Sequence, residues 1–311
     1  MMNGSLRWLR RTALRVVPVV TGVVLATFFL LRLVPGGPAA AALGDQATNE
    51  AVAALEAQMG LDQPLMTQLW SYVSGIVTRG DVGTSLLYGT PTSELIAGRV
   101  GVTLSVVALA VLLTLVLVVP LAFAAALHKD GVVDHLIRVV PAIGLAMPTF
   151  WIGLLLIMVF AVNLGWLPAG GSGDGVRSLI LPAVAIAISM TPVLVRTLRA
   201  QLLEVLDADF VATLTAAGLA RGRVLVHVLR NAALPTLTLF GLNIAYMIGG
   251  TLVIERVFAL NGLGALMFES ISNRDFPVVQ GVALFCAVAV VAVTVATDFL
   301  VDRLDPRSRL S

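Results

Sequence analysis

Few residues in this chain are able to do chemistry, and their spacing rules out most of it. There is one lysine, Lys129, between His128 and Asp130. A loop that cradles nucleotide phosphates needs Gly-Lys followed by Ser or Thr, so no segment here carries one. The three histidines, His128, His135 and His227, face no cysteines and read as surface residues. Cys286 is the single cysteine, which excludes an internal disulfide and a thiolate cluster. Hydrolysis inside a bilayer needs a nucleophile with its base, or paired carboxylates, and the apolar stretches hold neither. The chain reads as no enzyme, with no metal site and no recognition of nucleic acid. Ionisable groups occur only at the ends of apolar stretches: Glu255 and Arg256 after the fifth, Asp298 and Asp302 at the end of the sixth. An ion-coupled carrier, the alternative reading, usually places charge deeper.

The polar residues that remain are concentrated in one place. The segment 207–235 interrupts the apolar pattern for nearly thirty residues and carries Arg221, Arg223, His227 and Arg230. Within it, 208–220 has helical spacing, with Phe210, Val211, Leu214 and Ala217 on one stripe. Asp207 and Asp209 lie at its N-terminal end, where a helix dipole favours negative charge. Gly218 is a stop signal, and Arg221 and Arg223 complement the carbonyl end. Such a stripe must be covered by a partner, by the chain's own bundle or by the lipid interface.

The elements that position this segment follow from composition. The 311 residues are 58 % hydrophobic and 12 % charged, with a mean hydropathy of +0.97. Soluble domains carry about a quarter charged residues, so this chain is dissolved in a bilayer. Six apolar segments approach the length needed to cross a core of ~30 Å: 13–34, 100–127, 137–163, 178–198, 233–254 and 278–301. They are continuous, which excludes a β-barrel. The first follows a basic start and resembles a signal peptide, but its run to Val34 is long enough to read as an uncleaved span. Interior prolines (Pro18, Pro120, Pro141, Pro148, Pro182, Pro192) are tolerable where neighbouring helices satisfy the freed carbonyls. With both termini inside, 14 of the 20 Lys and Arg residues face the cytosol and 6 face out, the bias of an N-in/C-in protein. The long outer segment reads as a helix over 50–59 with Val52, Leu55 and Met59 on a stripe, a turn at 60–64, a second helix through Trp70 and Val73, and a loop at 80–85. Residues 1–99 form an N-terminal span with this outer segment, and 100–311 form a five-span core.

Several motifs carry a resemblance. Asp209, Phe210, Val211, Thr213, Ala216, Gly218 and Leu219, followed by Arg230-Asn231-Ala232 and Leu234-Pro235, resemble the cytoplasmic loop of permease subunits of dipeptide and oligopeptide ABC importers. Ala212, Leu214, Thr215 and Ala217 depart from that pattern and make the loop less basic. Pro35-Gly36-Gly37-Pro38, Gly60-Leu61-Asp62 with Pro64, and Gly80-Asp81-Val82-Gly83 with Ser85 resemble the family's outer region. Pro148, Phe150 and Trp151 resemble its third span. Glu255-Arg256-Val257-Phe258, Gly262-Leu263-Gly264, the block 274–281 and Leu304-Asp305-Pro306-Arg307 resemble its last two spans and tail.

The resemblance implies an all-α membrane protein of the type I ABC importer fold, in the bacterial cytoplasmic membrane. It implies a homologous second permease, separate ATPase subunits that bind the ATP and Mg, and an extracytoplasmic substrate-binding protein. It implies an ATPase-coupling helix built from Asp209, Phe210, Val211, Thr213, Leu214, Ala216, Gly218 and Leu219. Arg221, Arg223, Arg230, Leu234 and Pro235 are expected in the loop that follows. Asn243, Met247, Glu255, Phe258 and Asp275 are expected at the pathway or its outer gate. Within this branch the cargo ranges over dipeptides, longer peptides, glutathione, nickel complexes and haem.

Overall fold

A computed structural model describes residues 2–33, 36–44 and 47–304, so Pro35 and the tail motif Asp305–Arg307 lie outside the described residues. The helices run in chain order as α1 (Met2–Arg32), α2 (Pro38–Leu43), α3 (Asn49–Gln58), α4 (Leu65–Arg79), α5 (Thr92–Leu127), α6 (Val132–Leu145) and α7 (Thr149–Leu156). A π-helical stretch, Ile157–Asn163, continues α7. Then come α8 (Arg177–Leu206), α9 (Asp209–Ala216), α10 (Arg221–Val257), α11 (Leu263–Ser272) and α12 (Phe276–Leu304). Among the described residues there is no strand; a single antiparallel bridge joins Thr84 and Pro91.

α5, α8, α10 and α12 are each long and apolar enough to cross a membrane. The expected third span is broken: α6 ends before Met147, and α7 begins after Pro148. A proline disfavours helical backbone in the residue before it, so the chain leaves the helix there and restarts with Pro148 as cap. Counted as one span, this pair makes a fifth. In α1 the apolar part is Val16–Phe29, short of the ~20 residues that cross a bilayer upright.

The outer segment contains one helix that the residues had not announced, α2, where a run of alanines follows Pro38 at the first turn. α3 starts at a Thr48 cap whose hydroxyl accepts the Ala51 N–H at 3.2 Å. α4 ends at Gly80, whose φ of 63° provides the left-handed stop.

The chain divides into two compact units, one of Met1–Thr103 with Asn261–Val291, the other of Leu104–Leu260 with Ala292–Ser311. The expected boundary at 99/100 falls inside α5, and 261–291 joins the N-terminal unit. In that unit α12 passes so close to the start of α5 that a Cβ on Gly281 would lie 2.5 Å from the Thr92 methyl. The core of the second unit joins Val118, Ala122 and Ala126 of α5 to Leu194, Val195, Leu198 and Leu202 of α8. Val224, Val228, Ala232 and Phe240 of α10 complete it, together with Val211 from α9.

Candidate coupling helix and translocation face

α9 is two turns long, too short to persist by propensity alone. Three features hold it. Asp209 sits in the first turn, where its charge favours the helix dipole. At the other end Gly218 has a φ of 77°. The Gly218 N–H donates to the Thr215 carbonyl at 3.0 Å and the Leu219 N–H to the Leu214 carbonyl at 3.2 Å. This is the paired closure of a Schellman end, and Leu214 and Leu219, its apolar pair, pack on the core. Val211 is the third feature. It is 9 % exposed, and burying it contributes about 1.5–3 kcal/mol.

The stripe expected on one face is therefore divided. Val211 and Leu214 turn inward, while Phe210 is 37 % exposed and Ala217 lies on the outside. The outward face is Asp209, Ala212, Thr213 and Ala216. The hydroxyls of Thr213 and Thr215 donate back to the carbonyls of Asp209 and Val211, at 3.0 and 2.8 Å, and so are satisfied within the helix. The result is a small-residue surface flanked by Phe210 and by an open groove of about 550 Å³ that reaches Leu206 and Asp207.

Arg221, Arg223, Arg230, Leu234 and Pro235, expected in a loop, are in the first turns of α10. The reason is a second apolar stripe, Val224, Val228 and Ala232, buried at four-residue spacing. Arg221 and Arg223 thus stand, exposed, at the N-terminus of α10 and not only after the carbonyls of α9. That placement opposes the dipole by ~0.3–1 kcal/mol each at the surface.

Higher along α10 the expected pathway residues lie on its buried side. Asn243 is buried and donates to the Leu239 carbonyl at 2.8 Å. Met247 and Glu255 are both fully buried. Gly241, on the same side, meets Thr297 so closely that any Cβ would overlap its side chain. Phe258 is held between Gly153, where a Cβ would lie 3.0 Å from its ring, and Gly171, whose N–H donates to the Phe258 carbonyl at 2.8 Å. The exposed side of α10, which sequence reasoning missed, presents Thr238, Leu242, Tyr246, Gly249, Gly250 and Val253. Their spacing of three and four was a readable signal.

Asp275 belongs to the N-terminal unit. It is buried and accepts from the Ser85 hydroxyl and from the N–H groups of Leu86 and Leu87, at 3.1 and 3.3 Å. It thereby fixes the loop after α4. In the same loop the Tyr88 hydroxyl donates to Glu269 at 2.5 Å, and Arg99 approaches Glu269 at 3.3 Å. The bond to Glu269 pushes the Tyr88 phenol above its ordinary pKa. This unit also holds a cavity of about 770 Å³, walled by Phe28 and Leu55 and by the polar groups of Arg32, Gln68, Tyr72, Arg79 and Asp81.

The described residues thus expose a short capped helix between two long apolar helices, with a chemically mixed face on the second of them. The fold matches a chain from the solved inward-facing structure of the MetNI methionine ABC transporter, with a TM-score of 0.57 and 16 % identity, over 68 % of this chain and 97 % of that one. The chain belongs to the binding-protein-dependent transport system inner membrane component family, whose model matches residues 118–310; the model of the family's N-terminal component matches 5–106. It is a multi-pass inner-membrane permease of the ABC importer class. A Brucella abortus (strain 2308) protein named as a peptide transport system permease protein is 38 % identical over 97 % of this chain and 98 % of its own length. The oligopeptide transport system permease protein AppB of Bacillus subtilis (strain 168) is 36 % identical over 96 % of this chain and 98 % of its own. The dipeptide transport system permease protein DppB of Alkalihalophilus pseudofirmus is 32 % identical over 97 % and 99 %.

Proposed function

We propose that this chain is one of two permease subunits of an ATP-driven peptide importer, and that α9 is its contact with a separate ATPase. The observation that carries this reading is the construction of α9. It is anchored inward by Val211 and Leu214, closed by Gly218, and faced outward with residues small enough for another surface to approach closely. Arg221 and Arg223, kept where the α10 dipole disfavours them, have a use if an acidic partner surface meets them. The names of the relatives support peptides as cargo. Counting α1 and the broken α6–α7 pair with the four long helices makes six spans, N-in and C-in. The path runs along the exposed face of α10, shared with a homologous second permease, and Asn243, Met247 and Glu255 support that face from behind. An extracytoplasmic binding protein delivers the cargo to the unit that holds Asp275, and the ATP and Mg sit on the ATPase subunits.

The test is cysteine chemistry in a Cys286→Ser background. A cysteine at Ala216 crosslinks to the ATPase subunit in the assembled importer, and one at Leu214 does not. In intact cells, cysteines at Asp62 and Gly173 react with an impermeant thiol reagent added outside, whereas one at Ala220 is silent. Crosslinking of Leu214 in preference to Ala216 would assign the wrong face to the contact. Labelling of Ala220 but not Asp62 would invert the topology.

A further inference from the structure

The second unit buries a charge that the proposed function does not use. Asp134, in the first turn of α6, is fully buried. Arg199 of α8 grips it with both prongs, Nε to Oδ1 at 2.6 Å and a terminal nitrogen to Oδ2 at 2.5 Å. The Asp130 N–H donates to Oδ2 at 3.0 Å, and Arg138 stands 3.5 Å from Oδ1. Each carboxylate oxygen therefore accepts from Arg199, and Oδ2 also from the backbone.

The position of the pair gives it a role. Arg199 lies about two turns, or ~10 Å, before α8 ends at Leu206, and α9 begins three residues later. α8 is therefore the stem of α9. From Asp134, α6 runs to the break at Pro148 and into α7, whose Gly153 seats Phe258 at the end of α10. Apolar helix contacts tolerate sliding, because one aliphatic neighbour replaces another. A forked ion pair does not. A slide of one turn, ~5.4 Å, would part both bonds of a bidentate, charge-assisted pair whose geometry is specific.

We propose that Asp134 and Arg199 are positioning residues for transport: their ion pair makes α6 and α7 follow α8 when α9 is displaced, and so carries movement from the coupling helix to the far end of α10. The inference rests on the reading of α9 as the ATPase contact. It assigns no contact with cargo or nucleotide to either residue.

The experiment uses the complete importer in proteoliposomes and reads the ratio of peptide imported to ATP hydrolysed, with assembly checked by co-purification. Asp134→Asn and Arg199→Lys each lower that ratio, by about tenfold, within the range a single coupling contact carries. ATP hydrolysis continues. The exchange Asp134→Arg with Arg199→Asp recovers most of the ratio. An unchanged ratio in Arg199→Lys, which keeps the charge but loses the fork, overturns the proposal. So does an exchange variant that assembles fully yet recovers nothing. If Asp134→Asn fails to assemble, Arg199→Lys and the exchange decide. The wild-type importer, measured alongside, separates the two levels: uptake without ATP there would sink the importer reading itself, whereas normal wild-type coupling with unaffected variants sinks only the strut.

Discussion

Helices α5 and α10 are both long, apolar and exposed on one side, but the exposed sides differ in kind. Through the middle of α5 the outward residues are Ala108, Leu112, Leu115, Val116 and Leu117. Thr114 is buried and returned to the Ala110 carbonyl at 2.7 Å, and an exposed hydroxyl of this helix, that of Ser105, lies nearer its start. Such a face needs nothing beyond lipid tails, which are as apolar as leucine. α10 turns outward a threonine, a tyrosine and a Gly249-Gly250 notch among its aliphatics. Tyr246 is 64 % exposed, and a phenol in hydrocarbon lacks the partner that its hydroxyl requires. The same sorting applies to α9, whose outward face is small and whose inward face is aliphatic. Exposure alone does not mark a functional surface in a membrane protein; exposure of the wrong chemistry for lipid does.

That contrast can be broken in several ways. The largest effect is expected from bulk on the α10 face. Gly249→Trp fills the notch and abolishes peptide uptake with insertion intact, whereas Leu112→Trp on α5 leaves uptake within about twofold; equal loss in both would erase the distinction. Next, neighbouring residues on opposite sides of α10 separate stability from transport. Met247→Ala, at a fully buried position, costs about 2–5 kcal/mol in reversible unfolding in mixed micelles. Tyr246→Ala changes stability by no more than ~0.5 kcal/mol yet lowers uptake. A smaller effect is expected at the α9 stop. Gly218→Asp forces a side chain into left-handed backbone, at about 1–2 kcal/mol, and adds a negative charge beside the helix's carbonyl end. ATPase co-purification weakens accordingly, and less so for Gly218→Asn, which tolerates that backbone better. The smallest effect carries opposite signs. Arg221→Glu favours the α10 dipole by ~0.3–1 kcal/mol but slows ATPase association at low salt. Faster association would show that the cation has no acidic partner.

Much of this was legible in the residues. Hydropathy located the long helices because backbone groups in lipid must be satisfied within each span. The short helix α9 was readable from Asp209 and Gly218, since dipole and left-handed stop are local effects. What failed was facing. The stripe of Phe210, Val211, Leu214 and Ala217 spans more than one side of a short helix, and only the core that Val211 enters decides which part is buried. The segment after it looked like a loop because Arg221, Arg223 and Arg230 dominate its composition, while Val224, Val228 and Ala232 supply the helical period. The bond of Asp134 to Arg199 joins residues 65 positions apart, and that of Ser85 to Asp275 joins residues 190 apart. No local pattern announces contacts of that range.

The central claim, that the chain moves peptides by coupling α9 to a separate ATPase, is tested most directly by uptake in proteoliposomes. These hold this chain, its second permease, the ATPase subunits and a loaded binding protein, with and without Ala216→Trp on the outer face of α9. The account predicts that uptake requires ATP and the ATPase subunits, ignores a protonophore, and is lost in Ala216→Trp. Uptake that persists without the ATPase subunits and collapses with a protonophore would contradict it.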